Sequence, residues 1–259
     1  MNENEHLLSI GDGNIYAKTW TPDTPPALPP ILLLHDSLGC VQTWRNFPSL
    51  LALATQRQVV AYDRAGFGQS SAVSGQLTPD FTATEAHTTI PRLLEHFGIQ
   101  SFVACGHSIG GSMAIETAAH WPARCTAVIT MAAQTFVEDK TLDGIRAARE
   151  NFNNPDIFNR LEKYHRHKAR WVLSAWVDTW LSPEFAHWNL ADALAQVRCP
   201  ALVIHGDRDE YGTTQFPDMI CARISGPSTK LILRDCGHNP HRERRDEVLS
   251  AIAEFLKPA

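Results

Sequence analysis

No surplus of positive charge runs through this chain: 23 Lys and Arg stand against 28 Asp and Glu, for a formal net charge of -5. No basic tract follows a helix face either, so nucleic acid is not an expected partner. Long apolar runs are missing as well. No stretch approaches the roughly 20 residues that a membrane-crossing helix needs. The start, Met1-Asn2-Glu3-Asn4-Glu5-His6, is acidic and polar where a secretory leader would be basic and then apolar. Neither export nor a membrane partner is therefore expected. The six cysteines (Cys40, Cys105, Cys125, Cys199, Cys221, Cys236) lack the paired spacings of zinc sites. Reduced thiols in a cytoplasmic protein follow. His165-x-His167 and His238-x-x-His241 come without a carboxylate at a characteristic spacing, and no metal is expected.

With 44% hydrophobic residues over 259 positions, the chain can bury one sizeable core. Sheet-and-helix folds of this size are commonly one domain carrying an insertion. His6–Ile10 and Asn14–Trp20 flank Gly11-Asp12-Gly13, a hairpin signal. Thr21 to Pro30 holds five prolines and reads as a surface connection. Strand-length apolar runs then recur at Ile31–His35, Val59–Asp63, Ser101–Cys105, Ala127–Met131, Ala201–His205 and Lys230–Leu233. Helical patterns at Gln42–Ala54 and Ala83–Phe97 separate the earlier ones. Such alternation predicts a mostly parallel sheet with helices on both faces. Sheets of that kind present ligands at the carboxyl ends of their strands.

One of those ends carries Gly106-His107-Ser108-Ile109-Gly110, followed at once by a helical pattern from Gly111 to Ala119. A serine on a sharp strand-to-helix turn is held in strained backbone geometry that lifts its hydroxyl clear of the sheet. The flanking glycines are needed because strand and helix pass too close there for a Cβ. Ser108 is the candidate nucleophile. Its hydroxyl is weak at neutral pH and needs an imidazole to take its proton and a carboxylate to orient that ring. Two later strand ends supply both, in the chain order Ser, acid, His. Ala201–His205 runs into Gly206-Asp207-Arg208-Asp209-Glu210, and Lys230–Leu233 is followed by Asp235-Cys236-Gly237-His238. His238 is the candidate base, and the acid lies in the 206–210 loop.

Two further segments follow the first two core strands: His35-Asp36-Ser37-Leu38-Gly39, and Tyr62-Asp63-Arg64-Ala65-Gly66-Phe67-Gly68-Gln69-Ser70. With these, the chain resembles the α/β-hydrolase superfamily over nearly all of its length. The resemblance implies an α/β-hydrolase fold, a mostly parallel eight-stranded sheet whose core spans 1–133 and 197–259, with a helical cap at 134–196. It selects Asp209 over Asp207 as the orienting acid, since the family's acid usually sits three residues after the glycine. It also implies an oxyanion hole built from the backbone N–H groups of Ser37 and Ile109. Most members carry His-Gly where this chain has His35-Asp36. A carboxylate aimed into the hole would oppose the negative charge that develops there. Asp36 is therefore expected to turn away and cap a loop or pair with a base, a part in chemistry or substrate choice being the alternative.

Over 134–196 the alternation stops, and Asp143–Asn151, Asp156–Lys168, Ala169–Leu181 and Trp188–Val197 read as helices. In the family such an insertion roofs the site. Trp176 and Trp180, four apart on one helix face, are candidates to line a pocket, with packing of cap on core as the alternative. Arg160, Lys163, Arg166, Lys168 and Arg170, with His165 and His167 between them, read as a solvated face; attraction of an anionic substrate is the alternative. The resemblance implies a cofactor-free serine hydrolase acting on a small carboxylic ester or lactone. Carbon–carbon bond hydrolases, perhydrolase-type haloperoxidases and slow-turnover ligand receptors share the triad. The first of these usually carry a glycine-rich segment where this chain has Asp36-Ser37-Leu38. Haloalkane dehalogenases and epoxide hydrolases fit less well, because they place Asp at the nucleophile. Natural substrate and oligomeric state are not legible in the sequence.

Overall fold

Unbroken apolar runs such as Ile31-Leu32-Leu33-Leu34 make strands that must be covered on both faces. In the computed structural model, which describes residues 1–11, 13–23 and 28–257, these side chains alternate between two cores. Ile31 and Leu33 join one buried cluster, and Leu32 and Leu34 the other. Fully burying each such side chain is worth about 2 kcal/mol, so the middle of the sheet is its firmest part. Among the described residues the strands are β1 (Asn2–Ile10), β2 (Gly13–Thr21), β3 (Ile31–Leu34), β4 (Val59–Tyr62), β5 (Phe102–His107), β6 (Cys125–Met131), β7 (Ala201–Gly206) and β8 (Ser228–Leu233). They form one sheet in the order β1-β2-β4-β3-β5-β6-β7-β8. The pairs β1–β2 and β2–β4 are antiparallel, and the remainder are parallel. Asp12 of the hairpin turn, 24–27 of the proline-rich connection and the terminal 258–259 lie outside the described residues.

The helices are α1 (Phe47–Thr55), α2 (Phe81–His96), α3 (Ile109–His120), α4 (Asp139–Asn151), α5 (Pro155–His165), α6 (Ala169–Trp180), α7 (Ala191–Gln196), α8 (Gln215–Arg223), α9 (Pro240–Glu243) and α10 (Arg245–Phe255). Phe47 and Leu51 of α1 and Val248 and Ile252 of α10 cover one face of the sheet. Ile90 of α2, Met113 of α3, Leu194 of α7 and Ile220 of α8 cover the other. After β4 the chain crosses to the far side of β3 and lays down β5 there. The carboxyl ends of β3 and β5 are thus neighbours at the point where strand order reverses, which is where open α/β sheets hold their ligands.

Some predicted elements differ in extent, for local reasons. The pattern at 42–54 is split, because Arg45 takes a positive φ of 55° between a 3-10 turn at Val41–Trp44 and α1. Arg166, at φ 54°, ends α5 and turns the next residues into a 3-10 stretch, Arg166–Lys168. Within 134–196, α4, α5 and α6 contribute residues to the cavity over the strand ends. The last helix of that segment, α7, packs instead on α3 and α8 at the flank of the sheet. No helix among the described residues is long and apolar enough to cross a membrane. All six cysteines are free.

Candidate active site

β5 ends at His107 and α3 begins at Ile109, so Ser108 alone makes the turn. Its φ of 56° and ψ of -129° cost roughly 1–3 kcal/mol for a residue bearing a Cβ. Sheet register explains the glycines around it. Leu34 of β3 pairs with Gly106 of β5, which brings the first turn of α3 hard against β3. A Cβ on Gly106 would overlap the Gly110 carbonyl, and one on Gly110 would overlap that of Leu34. The Ser108 N–H donates to Met131 O at 2.8 Å and pins the turn to β6.

The loops after β7 and β8 bring an acid and a ring to this serine. His238 Nε2 lies 2.9 Å from Ser108 Oγ, and His238 Nδ1 lies 2.9 Å from each Asp209 oxygen. An ionised carboxylate only accepts, so Nδ1 holds the proton and Nε2 is left to receive one. Asp209 is 1% exposed and also accepts the Tyr211 N–H at 2.8 Å, whereas Asp207 is exposed. Burial alone would disfavour charge on either partner. Their hydrogen bond and mutual field outweigh it, lowering the Asp209 carboxyl and raising the His238 ring above its ordinary 6.5. Only the neutral ring can accept the serine proton. As pH drops below the His238 pKa, kcat/KM should therefore fall about tenfold per unit. Because Asp209 raises that pKa, the fall should begin above pH 6.5; a profile still flat at pH 6 would contradict the pairing.

The loop after β3 turns on Asp36. Its Oδ1 accepts the Leu38 N–H at 2.9 Å, and its Oδ2 lies 3.4 Å from His107 Nδ1. Its carbonyl accepts from His35 Nδ1 at 2.8 Å, Arg64 Nη2 at 3.0 Å and the Gly39 N–H at 3.2 Å. The far side of the His107 ring donates Nε2–H to the His238 carbonyl at 2.6 Å. Burial pushes the Asp36 carboxyl up, but the hydrogen bond and field of His107 hold it well below the usual carboxylate range. Asp36 thus both caps its loop and pairs with a base. Among the described residues no protein acceptor takes the Ser37 N–H, and Ile109 opens α3, where N–H groups have no partner within the helix. Asp36→Ala should lower kcat on a small ester by about a hundredfold with KM little moved, as a donor displaced by an ångström would. Asp36→Asn, which keeps an acceptor for Leu38, should retain most of the rate. Equal losses in the two variants would assign the effect to charge beside His107 instead of loop shape.

Residues 31–251 match the model of the alpha/beta hydrolase family. The chain belongs to that family. It is 26% identical over 242 residues to the serine hydrolase BPHL of Homo sapiens, covering 88% of this chain and 79% of that one. A proline iminopeptidase of Lactobacillus helveticus is 22% identical over 273 residues, covering 88% and 90%. Among solved structures, the enol-lactonase from Burkholderia xenovorans LB400 superposes with a TM-score of 0.75 at 19% identity, over 97% of this chain and 99% of that one. That likeness is one of fold.

Above Ser108 lies a cavity of about 330 Å³. Asp36, Ser37, Ser108, His238 and Trp176 line it. Trp180 does not. It is 2% exposed and packs on Phe185 and Trp188, with ring centroids at 5.1 and 5.7 Å. It shares a helix face with Trp176, but α6 ends at Trp180, and that end is buried with Phe81 and Phe185 in the main core. The basic run on the cap is not one solvated face. Buried Lys168 donates to the carbonyls of Phe67 at 3.1 Å, Gly68 at 2.8 Å and Ser70. Buried His165 accepts the Gly68 N–H at 2.9 Å and donates to the Leu38 carbonyl at 2.9 Å. These two side chains are struts tying the roof to the loops after β3 and β4. Gln134, whose Oε1 is 3.3 Å from Ser108 Oγ, escaped the sequence reading. Extending the strand-end rule to β6 would have pointed to it.

Proposed function

We propose that the protein is a serine hydrolase that cleaves a small carboxylic ester or lactone through an acyl-enzyme. What carries the reading is the continuous relay at 2.9 Å per step from Ser108 Oγ through His238 to Asp209, beneath a cavity of small-molecule size. Ser108 Oγ attacks the carbonyl carbon while His238 Nε2 takes its proton. The tetrahedral oxyanion is held by the Ser37 and Ile109 N–H groups. His238, now an imidazolium steadied by Asp209, returns the proton to the leaving alkoxide as the carbon–oxygen bond breaks. Water then attacks the acyl carbon as His238 Nε2 takes one of its protons, and that proton passes to Ser108 Oγ as the acyl–oxygen bond breaks and the acid leaves. Base, acid and oxyanion donors all come from the chain, so the chemistry needs no cofactor. The kinship to a protein named as a serine hydrolase supports a serine nucleophile. A proline iminopeptidase among the relatives makes peptide bonds the neighbouring reading. Free cysteines, all but Cys221 buried, suit a reducing compartment such as the cytoplasm.

The test is covalent. A fluorophosphonate probe should label Ser108 alone, read by peptide mass mapping, and a short ester should then show repeated turnover in unlabelled protein. Label on another residue, or none on folded protein, would refute the nucleophile. Labelling with no repeated turnover would favour a ligand receptor.

A further inference from the structure

α5 turns one face to the cavity: Ile157, Arg160, Leu161 and Tyr164 line it, spaced i, i+3, i+4, i+7. Three of these are what a pocket wall requires, and the fourth is a full positive charge. Lys163 and Glu162 of the same helix do not line the cavity, whereas Arg160 borders it while remaining exposed to solvent. Arg242 of α9, likewise exposed, also lines the cavity, with Nη2 donating to the Thr43 carbonyl at 2.9 Å. That bond steadies the guanidinium and uses one of its five N–H donors. Neither Arg160 nor Arg242 makes an ion pair among the described residues, a condition they share with most arginines of the chain. The acid that lines the cavity, Asp36, is already engaged by the Leu38 N–H and His107. Asp209 lies behind His238.

The charges left uncommitted toward the cavity are therefore both positive, in a chain whose net charge is -5. A cleft with low-dielectric walls focuses such a local field, and a guanidinium fork matches a carboxylate in geometry. Resting on the ester-hydrolase reading above, we propose that the substrate is an ester or lactone bearing a second, ionised carboxylate, which Arg160 and Arg242 hold while Ser108 attacks the neutral ester carbonyl. A half-ester of a short dicarboxylic acid is the simplest compound of this class.

The experiment compares monomethyl glutarate with dimethyl glutarate and with a quaternary-ammonium methyl ester of equal length, by pH-stat. Wild type should favour the half-ester over the dimethyl ester by about tenfold or more in kcat/KM, as charge-assisted hydrogen bonds imply. Raising ionic strength should shrink that preference. Arg160→Ala with Arg242→Ala should bring the ratio close to one, and Arg160→Glu with Arg242→Glu should invert it toward the cationic ester. A wild-type preference for the dimethyl ester, or a ratio unmoved in the double alanine variant, would overturn the proposal. Circular dichroism confirms that each variant is folded. Binding separates this inference from the reading beneath it. Calorimetry of monomethyl glutarate on Ser108→Ala should show saturable binding that the two alanines weaken by about ten- to a hundredfold. Ester turnover without charge preference would sink only the arginine assignment. Half-ester binding without turnover would sink the hydrolase reading and leave the arginine site standing. Absence of such binding would sink the arginine site.

Discussion

Ser108→Ala should lower kcat on a short p-nitrophenyl ester by about a million-fold. In the proposed reaction the Ser108 hydroxyl oxygen forms the new bond, and neither Gln134 nor Ser112 can take its place. Ser112 Oγ is committed to the Gln134 carbonyl at 2.6 Å. What remains should be a small acceleration over water from the Ser37 and Ile109 amides and from binding. A second variant separates chemistry from folding. Ser108 sits at φ 56° with a Cβ that glycine lacks. Ser108→Gly should be as inactive as Ser108→Ala yet more stable, by about 1 kcal/mol of released backbone strain. Thermal melts check this directly. Equal melting temperatures for the alanine and glycine variants would mean that the turn is not strained. Residual activity above about a thousandth of wild type in either would remove Ser108 from the reaction.

Asp209→Asn should lower kcat by about ten-thousandfold with KM and melting behaviour far less changed. The substitution preserves volume but places an amide where both carboxylate oxygens now sit 2.9 Å from His238 Nδ1. An amide NH2 facing Nδ1 forces the ring to carry its proton on Nε2, the nitrogen that must accept from Ser108. The hydrogen bond survives and the base does not. Asp207→Asn is the matched control, exposed and two residues away, and should stay within about twofold of wild type. Comparable losses at both positions would mean that the loop's negative charge matters more than ring orientation.

Strand ends were the legible part of this chain. Runs like Ile31–Leu34 and 201–204 are apolar on both parities, which a sheet covered on both faces requires, and the chemistry-bearing residues follow soon after them. The Gly106 and Gly110 pattern was readable for the same reason, since it reports a close approach and not a sequence habit. What stayed hidden depends on register and on where helices stop. His107 meets Asp36 only because β3 lies beside β5, and nothing in either segment alone announces the pair. Lys168 reads like any lysine in a basic run until Arg166 breaks α5 and turns it inward. Trp180 shows the converse. Its spacing from Trp176 is right for a shared wall, but a helix end can tuck under where its middle cannot.

His165 holds the roof and, through the Leu38 carbonyl, the residue next to the Ser37 donor. Lifting that end of α5 would tug on the loop after β3 that carries Ser37. The roof and the loop after β3 are thus tied through a single ring, so a displacement of either would be felt by the other.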